Sequence, residues 1–204
     1  MISYTRKDFE EMPQRYRANF FNSISGFKSL NLIATKSIAD VSNVAPFNSI
    51  VHIGANPPYI GFIARPETEE HQTLKNIRET GYYTINNVTK QIYHQAHLSS
   101  AKYDAQTSEF KKTGLNEYYS EFLTAPYVEE SPIKLGLKLQ EILPIPLNGT
   151  SLVIGNVIEV ILEQTIIEED GFVNIDKANS ITCAGLDAYY KVEKLARLPY
   201  ASLK

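Results

Sequence analysis

The sequence predicts a mainly β protein, a β-rich α+β fold in which a largely antiparallel barrel carries peripheral helices. Short apolar, β-branched segments follow one another before residue 65 and again after residue 132, with a helical stretch between them. The regular alternation of strands and helices that a parallel doubly wound sheet requires is absent. Ten glycines and ten prolines are spread evenly without a linker or a repeat, so residues 1–204 are expected to form a single domain.

The N-terminal part is predicted to be one helix followed by strands. The mixed charged and aromatic stretch 6–21 favours a short helix that is interrupted or started near Pro13. The β-branched, apolar composition of three later segments predicts strands over 30–35, 47–53 and 59–64.

Loops and one helix separate these strands from the rest of the chain. Residues 40–46 are expected to form a loop, and the Gly- and Pro-containing stretch 54–58 is expected to form a turn. Thr73 is a candidate N-cap for a helix that ends at Gly81, its candidate C-cap.

The remaining segments are predicted mostly as strands. A strand over 82–86 precedes a polar stretch, 90–110, that is expected to be helical in pieces. Three further strands are predicted over 133–142, 151–163 and 180–192, the second of them central and interrupted at Gly155. The tail, 193–204, is too apolar for a free end, so we expect it to dock on the barrel or on a second subunit.

Charge and cysteine content exclude several classes of protein. The formal net charge is −3, so no basic field indicates binding to nucleic acid or to an anionic membrane. Cys183 is the only cysteine, which excludes an intramolecular disulfide and fits a reducing compartment. The N-terminus lacks the apolar core of a signal peptide, and a cytoplasmic location is expected.

Standard catalytic motifs are missing. No two glycines have the G-x-G spacing of a dinucleotide fingerprint, and neither a phosphate-binding G-K-S/T loop nor a G-x-S-x-G elbow is found. His94 and His97 have the spacing for a metal site with a third ligand from His71 or Glu70, but incidental histidines on an exposed helix are the favoured interpretation.

Other reactive or charged residues also have simple interpretations. Cys183 is expected to be a small buried hydrophobic residue rather than a nucleophile. Two acidic runs, Glu67–Glu70 and Glu168–Asp170, are expected to be solvated loops.

The segment between residues 35 and 76 has the chemistry that a mononucleotide flavin requires. A flavin needs backbone and amide groups at its uracil-like edge, apolar contact on its ring faces, and cations and hydroxyls at its phosphate. The loop 43–49 offers the first two through exposed backbone, two asparagines and an aromatic ring: Asn43, Asn48 and Phe47. Cations, a hydroxyl and a helix start offer the third: Lys36, Arg65 and Thr73.

The order of these motifs resembles the flavin reductase-like, FMN-binding split-barrel family, which includes flavoredoxins. The matching pieces cover about residues 27–192, and their order and spacing carry the resemblance; they include 32–35, 43–49, 56–58, 73–77, 81–86, 114–115, 154–157 and 185–190. Asn48 stands where many members of that family carry serine after the aromatic residue.

The resemblance implies a split β-barrel, a homodimer with FMN near its interface, and oxidoreductase chemistry with NADH or NADPH as the hydride donor. Carried over to this sequence, it implies flavin contacts from two segments: Thr35, Lys36 and Ser37, and Asn43, Val44, Ala45, Phe47, Asn48 and Ser49. It implies a phosphate side formed by Arg65, Thr73 and Asn76. Hydride transfer is chemistry of the cofactor, so no dedicated general base is expected and no catalytic residue is assigned.

Three functions remain open on the sequence. The first is a flavin reductase or related NAD(P)H oxidoreductase. The second is an FMN-binding electron carrier that turns over no small substrate, and the third is an FMN-free split barrel that serves as an interaction module.

Overall fold

The structure, a computed structural model, describes residues 1–66, 72–104 and 106–201. The helical segments are α1 (Arg6–Glu11), α2 (Gln14–Ile24), α3 (Gln72–Thr80), α4 (Tyr93–Leu98), α5 (Glu109–Thr113) and a 3₁₀ turn (Gln164–Ile166). The strands are β1 (Lys28–Ser29), β2 (Asn31–Lys36), β3 (Ser42–Phe47), β4 (Val51–Ala55), β5 (Pro58–Ala64), β6 (Tyr82–Asn87), β7 (Glu117–Tyr118), β8 (Tyr127–Val128), β9 (Ile133–Ile145), β10 (Thr150–Leu162), β11 (Ile181–Ala184) and β12 (Ala188–Lys191).

One large antiparallel sheet organises the fold. Seven strands lie in the order β3-β2-β6-β9-β10-β5-β4, and two smaller sheets contain three strands (β1-β11-β12) and two strands (β7-β8). Each of these strand pairs is antiparallel, as the sequence predicts. The shift in register at Gly155, between β9 and β10, confirms the predicted interruption of the long apolar strand.

Strand β2 separates two apolar cores. Successive side chains of a strand point to opposite faces, so Leu32 and Ala34 pack with α4, α5 and β11, whereas Ile33 packs with α3, β5 and β10. All three are fully buried. A strand covered on both faces holds its end rigidly, and this end of the sheet carries the candidate site.

The predicted loop over 40–46 is wrong, because residues 42–47 form β3. A tight turn at Ser37–Val41, with Asp40 in the left-handed region at φ 65°, folds β3 back onto β2. Pro46 is tolerated because β3 lies at the edge of the sheet, where a missing N–H costs no ladder hydrogen bond. The strand predicted over 47–53 is accordingly displaced to Val51–Ala55.

Two other boundaries differ from the prediction. Residues 180–192 form a hairpin instead of one strand, since Gly185 adopts φ 66° between β11 and β12. Thr73 lies inside α3, after Gln72, and is therefore not its N-cap. Gly81 does end this helix, with φ 76° and its N–H donating to the Ile77 carbonyl oxygen.

The helical regions otherwise follow the sequence. The N-terminal helix is interrupted at Pro13, and α2 extends to Ile24. The stretch 90–110 is helical in two short pieces, α4 and the start of α5. No helix in the described ranges is long and apolar enough to cross a membrane.

The C-terminal tail contacts the fold through charges rather than through its apolar side chains. Arg197 pairs with Glu168 at 2.7 Å and with Asp170 at 2.6 Å, so this acidic run is not merely solvated. Arg197 lowers the pKa of the Asp170 carboxyl by donating hydrogen bonds to it. The apolar residues of the tail stay exposed: Leu195, Leu198 and Tyr200.

Candidate functional site

A cleft of about 370 Å³ lies where the ends of several elements meet. Its walls are β3 with the segment after it, the end of β5, the first turn of α3, the residues after α4, the start of α5, and the β11–β12 hairpin. Because antiparallel strands place alternate ends on one edge, residues far apart in the chain converge here. The volume is within the range of roughly 300–1,000 Å³ that is typical of small-molecule sites.

Most of the predicted site residues line this cleft. They are Asn43, Ala45, Phe47, Asn48, Ser49, Arg65 and Thr73. Asn43, Ala45 and Phe47 alternate along β3 and therefore share one face of the strand. Val44 points to the other face and is fully buried in the apolar core, so only its backbone is near the cleft.

Asn43 and Thr73 form a polar wall of the cleft, and a buried hydrogen-bond network lies behind it. The Asn43 Oδ1 atom accepts from the Thr35 hydroxyl at 3.3 Å and from the Thr73 hydroxyl at 3.1 Å. The Asn76 amide in turn donates to the Thr35 Oγ1 atom at 3.0 Å. Thr35 and Asn76 thus support the wall without lining it, and the donor of Thr73 is directed to Asn43.

Lys36 and Ser37 lie away from this cleft. The Lys36 ammonium pairs with Asp40 at 2.6 Å and lies 4.8 Å from the centre of the Tyr119 ring. The Ser37 hydroxyl oxygen accepts from the Val41 N–H at 3.1 Å within the β2–β3 turn. Lys36 lines a second cleft with Lys111 and Lys112, so the structure does not bring its side chain together with those of Asn43 and Phe47.

Asn48 and Ser49 connect the segment after β3 to two other elements that line the cleft. The Asn48 amide donates to the Gly185 carbonyl oxygen at 3.1 Å and thereby reaches the β11–β12 hairpin. The Ser49 hydroxyl both donates to the Ile63 carbonyl oxygen and accepts from the Ile63 N–H, each at 3.1 Å. Residues 48 and 49 form no strand, but these hydrogen bonds fix them against β5 and the β11–β12 hairpin.

Aromatic side chains form the apolar part of the cleft. Phe47 packs edge-on against Phe62, with ring centroids 5.0 Å apart and an interplanar angle of 73°. Tyr189 lies across the cleft and its hydroxyl is 2.6 Å from His97 Nδ1. His97 is thus engaged with Tyr189, and within the described ranges no group of three or more potential ligands suits a metal ion. His71 and the acidic run at 67–70 lie outside the described residues.

The charged groups of the cleft are unevenly placed. Arg65 follows β5 at the rim, is exposed, and makes no ion pair with another described residue. Glu109, the first residue of α5, is buried with 8% of its surface exposed. Burial raises the pKa of the Glu109 carboxyl and also that of the Cys183 thiol.

Sequence reasoning missed part of the cleft. Segments distant from 35–76 supply these lining residues: Ser99, Ser100, Glu109, Leu186 and Tyr189. Ser99, Ser100 and Glu109 belong to no motif, and Leu186 and Tyr189 lie in the matching piece 185–190 but were not assigned to the site; the fold brings all five to the cleft. Cys183 is buried, as predicted, and also lines the cleft.

The structure is an antiparallel split barrel with a cleft that has one apolar and one polar wall and the size typical of small-molecule sites. The comparisons with known proteins give its family. Residues 27–177 match the Flavin reductase like domain, and the chain belongs to this family. It is a flavin-related oxidoreductase fold, as the sequence resemblance predicts.

Solved structures share this fold, and a curated relative is similar in sequence. A candidate flavin reductase with a split barrel domain from Shewanella frigidimarina NCIMB 400 is 42% identical, with a TM-score of 0.95 over 98% of this chain and 100% of that chain. Flavoredoxin of Desulfovibrio vulgaris (Miyazaki F) shares the fold at 22% identity, with a TM-score of 0.72 over 86% of this chain and 92% of that one. An uncharacterized protein of Aquifex aeolicus is 25% identical over 80% of this chain and 84% of its own length.

Proposed function

We propose that the protein is an FMN-dependent flavin reductase that uses NADH or NADPH as its hydride donor. The observation that carries the proposal is the cleft itself, where an aromatic wall, a polar wall and a rim arginine meet within about 370 Å³. The family and the structure from Shewanella frigidimarina support flavin chemistry. An FMN-binding protein from Thermus thermophilus has the same fold, at a TM-score of 0.71.

The residues present fit a mononucleotide flavin. Phe47 and Tyr189 offer apolar contact to the faces of a flat ring, and Ala45 between the walls leaves room for it. Asn43 and the backbone of 47–49 offer polar groups to a ring edge. Arg65, which has no carboxylate partner among the described residues, offers its guanidinium to a phosphate at the rim.

The protein would bind and orient its ligands rather than supply acid or base chemistry. Bound FMN would accept a hydride from the reduced nicotinamide and pass electrons to an acceptor. The stiff network of Asn43, Thr35 and Thr73 holds the polar wall in one geometry, which keeps a bound ring aligned for transfer. Arg65 would position the phosphate end at the open side.

We also propose a homodimer. Neither α1 nor α2 has a buried residue, although α2 carries three aromatic side chains and α1 carries one. Large apolar residues near these helices and in the tail are exposed: Tyr16, Phe21, Ile24, Phe27, Leu195, Leu198 and Tyr200. Exposed apolar surface of this extent is typical of an interface. Light scattering should give twice 23.0 kDa, and a monomer at micromolar concentration would contradict it.

Two measurements test the function. Purified protein with free FMN should oxidise NADH or NADPH many times per chain, as a reductase does. An FMN carrier would bind flavin but turn over neither nicotinamide, and an FMN-free interaction module would bind no flavin at all. The cytoplasmic location stays a prediction.

A further inference from the structure

Glu109 is a buried carboxyl at the ligand cleft that the proposed chemistry does not use. Only 8% of its surface is exposed, yet it lines the cleft at the start of α5. Its Oε2 atom accepts from the Val44 backbone N–H at 3.3 Å, and the Asn43 side chain next to it stabilises its charged form. Glu109 therefore contacts the Val44 backbone and the Asn43 side chain on β3 and helps to fix the polar wall.

Among the described residues, Glu109 forms no ion pair with a cation. The titratable and charged groups on the elements around it are Arg65, Cys183, Tyr189, His94, His97, Tyr93, Lys111 and Lys112. None of these forms an ion pair with Glu109, and the lysines line the second cleft. The raised pKa of this carboxyl thus comes from burial that its hydrogen bonds only partly offset.

We propose that Glu109 is a positioning residue of the polar wall and that its carboxyl takes up one proton from solvent when a flat ligand covers the cleft. The inference rests on the proposed function, because it takes a flavin ring as that ligand. A ring lying on the cleft removes the remaining water from the exposed part of Glu109 and makes its charged form still less favourable. The protonated carboxyl still accepts from Val44 and keeps the wall in place.

Proton uptake has a defined sign. If the pKa of Glu109 is higher with ligand than without it, affinity is greatest at low pH, falls as the pH rises from the ligand-free to the ligand-bound pKa, and is constant above that range. The fall approaches about tenfold for each pH unit, because one proton is bound for each ligand. Riboflavin is the suitable probe, since it lacks a phosphate that titrates near neutral pH.

The experiment is a riboflavin titration between pH 5 and 8 on the wild type, Glu109→Gln and the control Glu121→Gln, an exposed acid. Wild type and control should lose affinity with rising pH, whereas Glu109→Gln should bind equally at every pH, because its amide imitates the protonated acid. Calorimetry of the wild type in buffers of different ionisation enthalpy should show uptake of up to one proton, even if the variant does not fold.

The outcomes separate the two proposals. Riboflavin affinity that is independent of pH in the wild type, or the same pH slope in Glu109→Gln, overturns the role of Glu109 while flavin binding stands. Failure of both riboflavin and FMN to bind overturns the proposed function, and the inference with it.

Discussion

Replacing Arg65 by alanine should weaken FMN binding while riboflavin binding changes little. Arg65 follows the last residue of β5, and its guanidinium is at the rim of the cleft without a described ion-pair partner. A charge-assisted hydrogen bond contributes roughly 1.5–3 kcal/mol when it is well formed. Since Arg65 is exposed and solvent screens its charge, the lower part of that range applies, and FMN affinity should fall about tenfold.

The measurement is the quenching of flavin fluorescence on titration with protein. Two neighbouring cations provide controls: Lys75→Ala, an exposed residue of α3 outside the cleft, and Lys36→Ala, which pairs with Asp40 at the second cleft. Both should bind FMN like the wild type. Equal weakening of FMN and riboflavin by Arg65→Ala, or no weakening of either, would refute the phosphate assignment. Weakening by Lys36→Ala alone would move the phosphate to the second cleft.

Two further predictions concern packing and the tail. Gly155→Ala should lower the melting temperature, because the new Cβ would lie 2.9 Å from Tyr83 Cζ and 3.0 Å from Leu137 in a closed core. An unchanged melting temperature would show that Tyr83 and Leu137 move enough to accommodate the added methyl group. Arg197→Ala should release the tail and speed tryptic cleavage after Lys194 several-fold, and high salt should do the same to the wild type. Because Arg197 lowers the pKa of Asp170, the contact should persist at neutral pH and be lost only as the pH falls through that lowered value. Equal cleavage rates of Arg197→Ala and the wild type would show that the ion pair does not hold the tail.

The strands were predictable where polar and apolar residues alternate or where several apolar residues follow one another. Leu32 and Ile33 are buried on opposite faces, and a run of apolar, β-branched residues indicates such a strand directly. β3 was missed because Asn43 and Pro46 are residues typical of loops. Their places in a strand depend on long-range facts, namely the partners of Asn43 and the edge position of β3.

The candidate site was predictable where it is contiguous. Asn43 and Phe47 share one face of β3, so the alternation of side chains along a strand groups them at the site. Arg65 follows β5, which is not paired with β3, and the closure of the sheet brings it to the same cleft. Glu109 and Tyr189 reach the cleft only because α5 packs on β3 and a hairpin closes the other side. The sequence around Glu109, Ser108 before it and Phe110 after it, does not indicate that this carboxyl is buried. Lys36 follows Thr35, but the turn after it directs its side chain to Asp40.

Filling the cleft tests most directly whether a flavin binds there. Ala45 lies on β3 between the apolar and polar walls, and Ala45→Trp would occupy the space of a flat ring. A matched control is Ile38→Trp, at a turn position that is 77% exposed. FMN titration should show one flavin for each chain in the wild type and the control, and none in Ala45→Trp with an unchanged circular dichroism spectrum. Undiminished FMN binding by a folded Ala45→Trp protein would show that the flavin does not bind in this cleft.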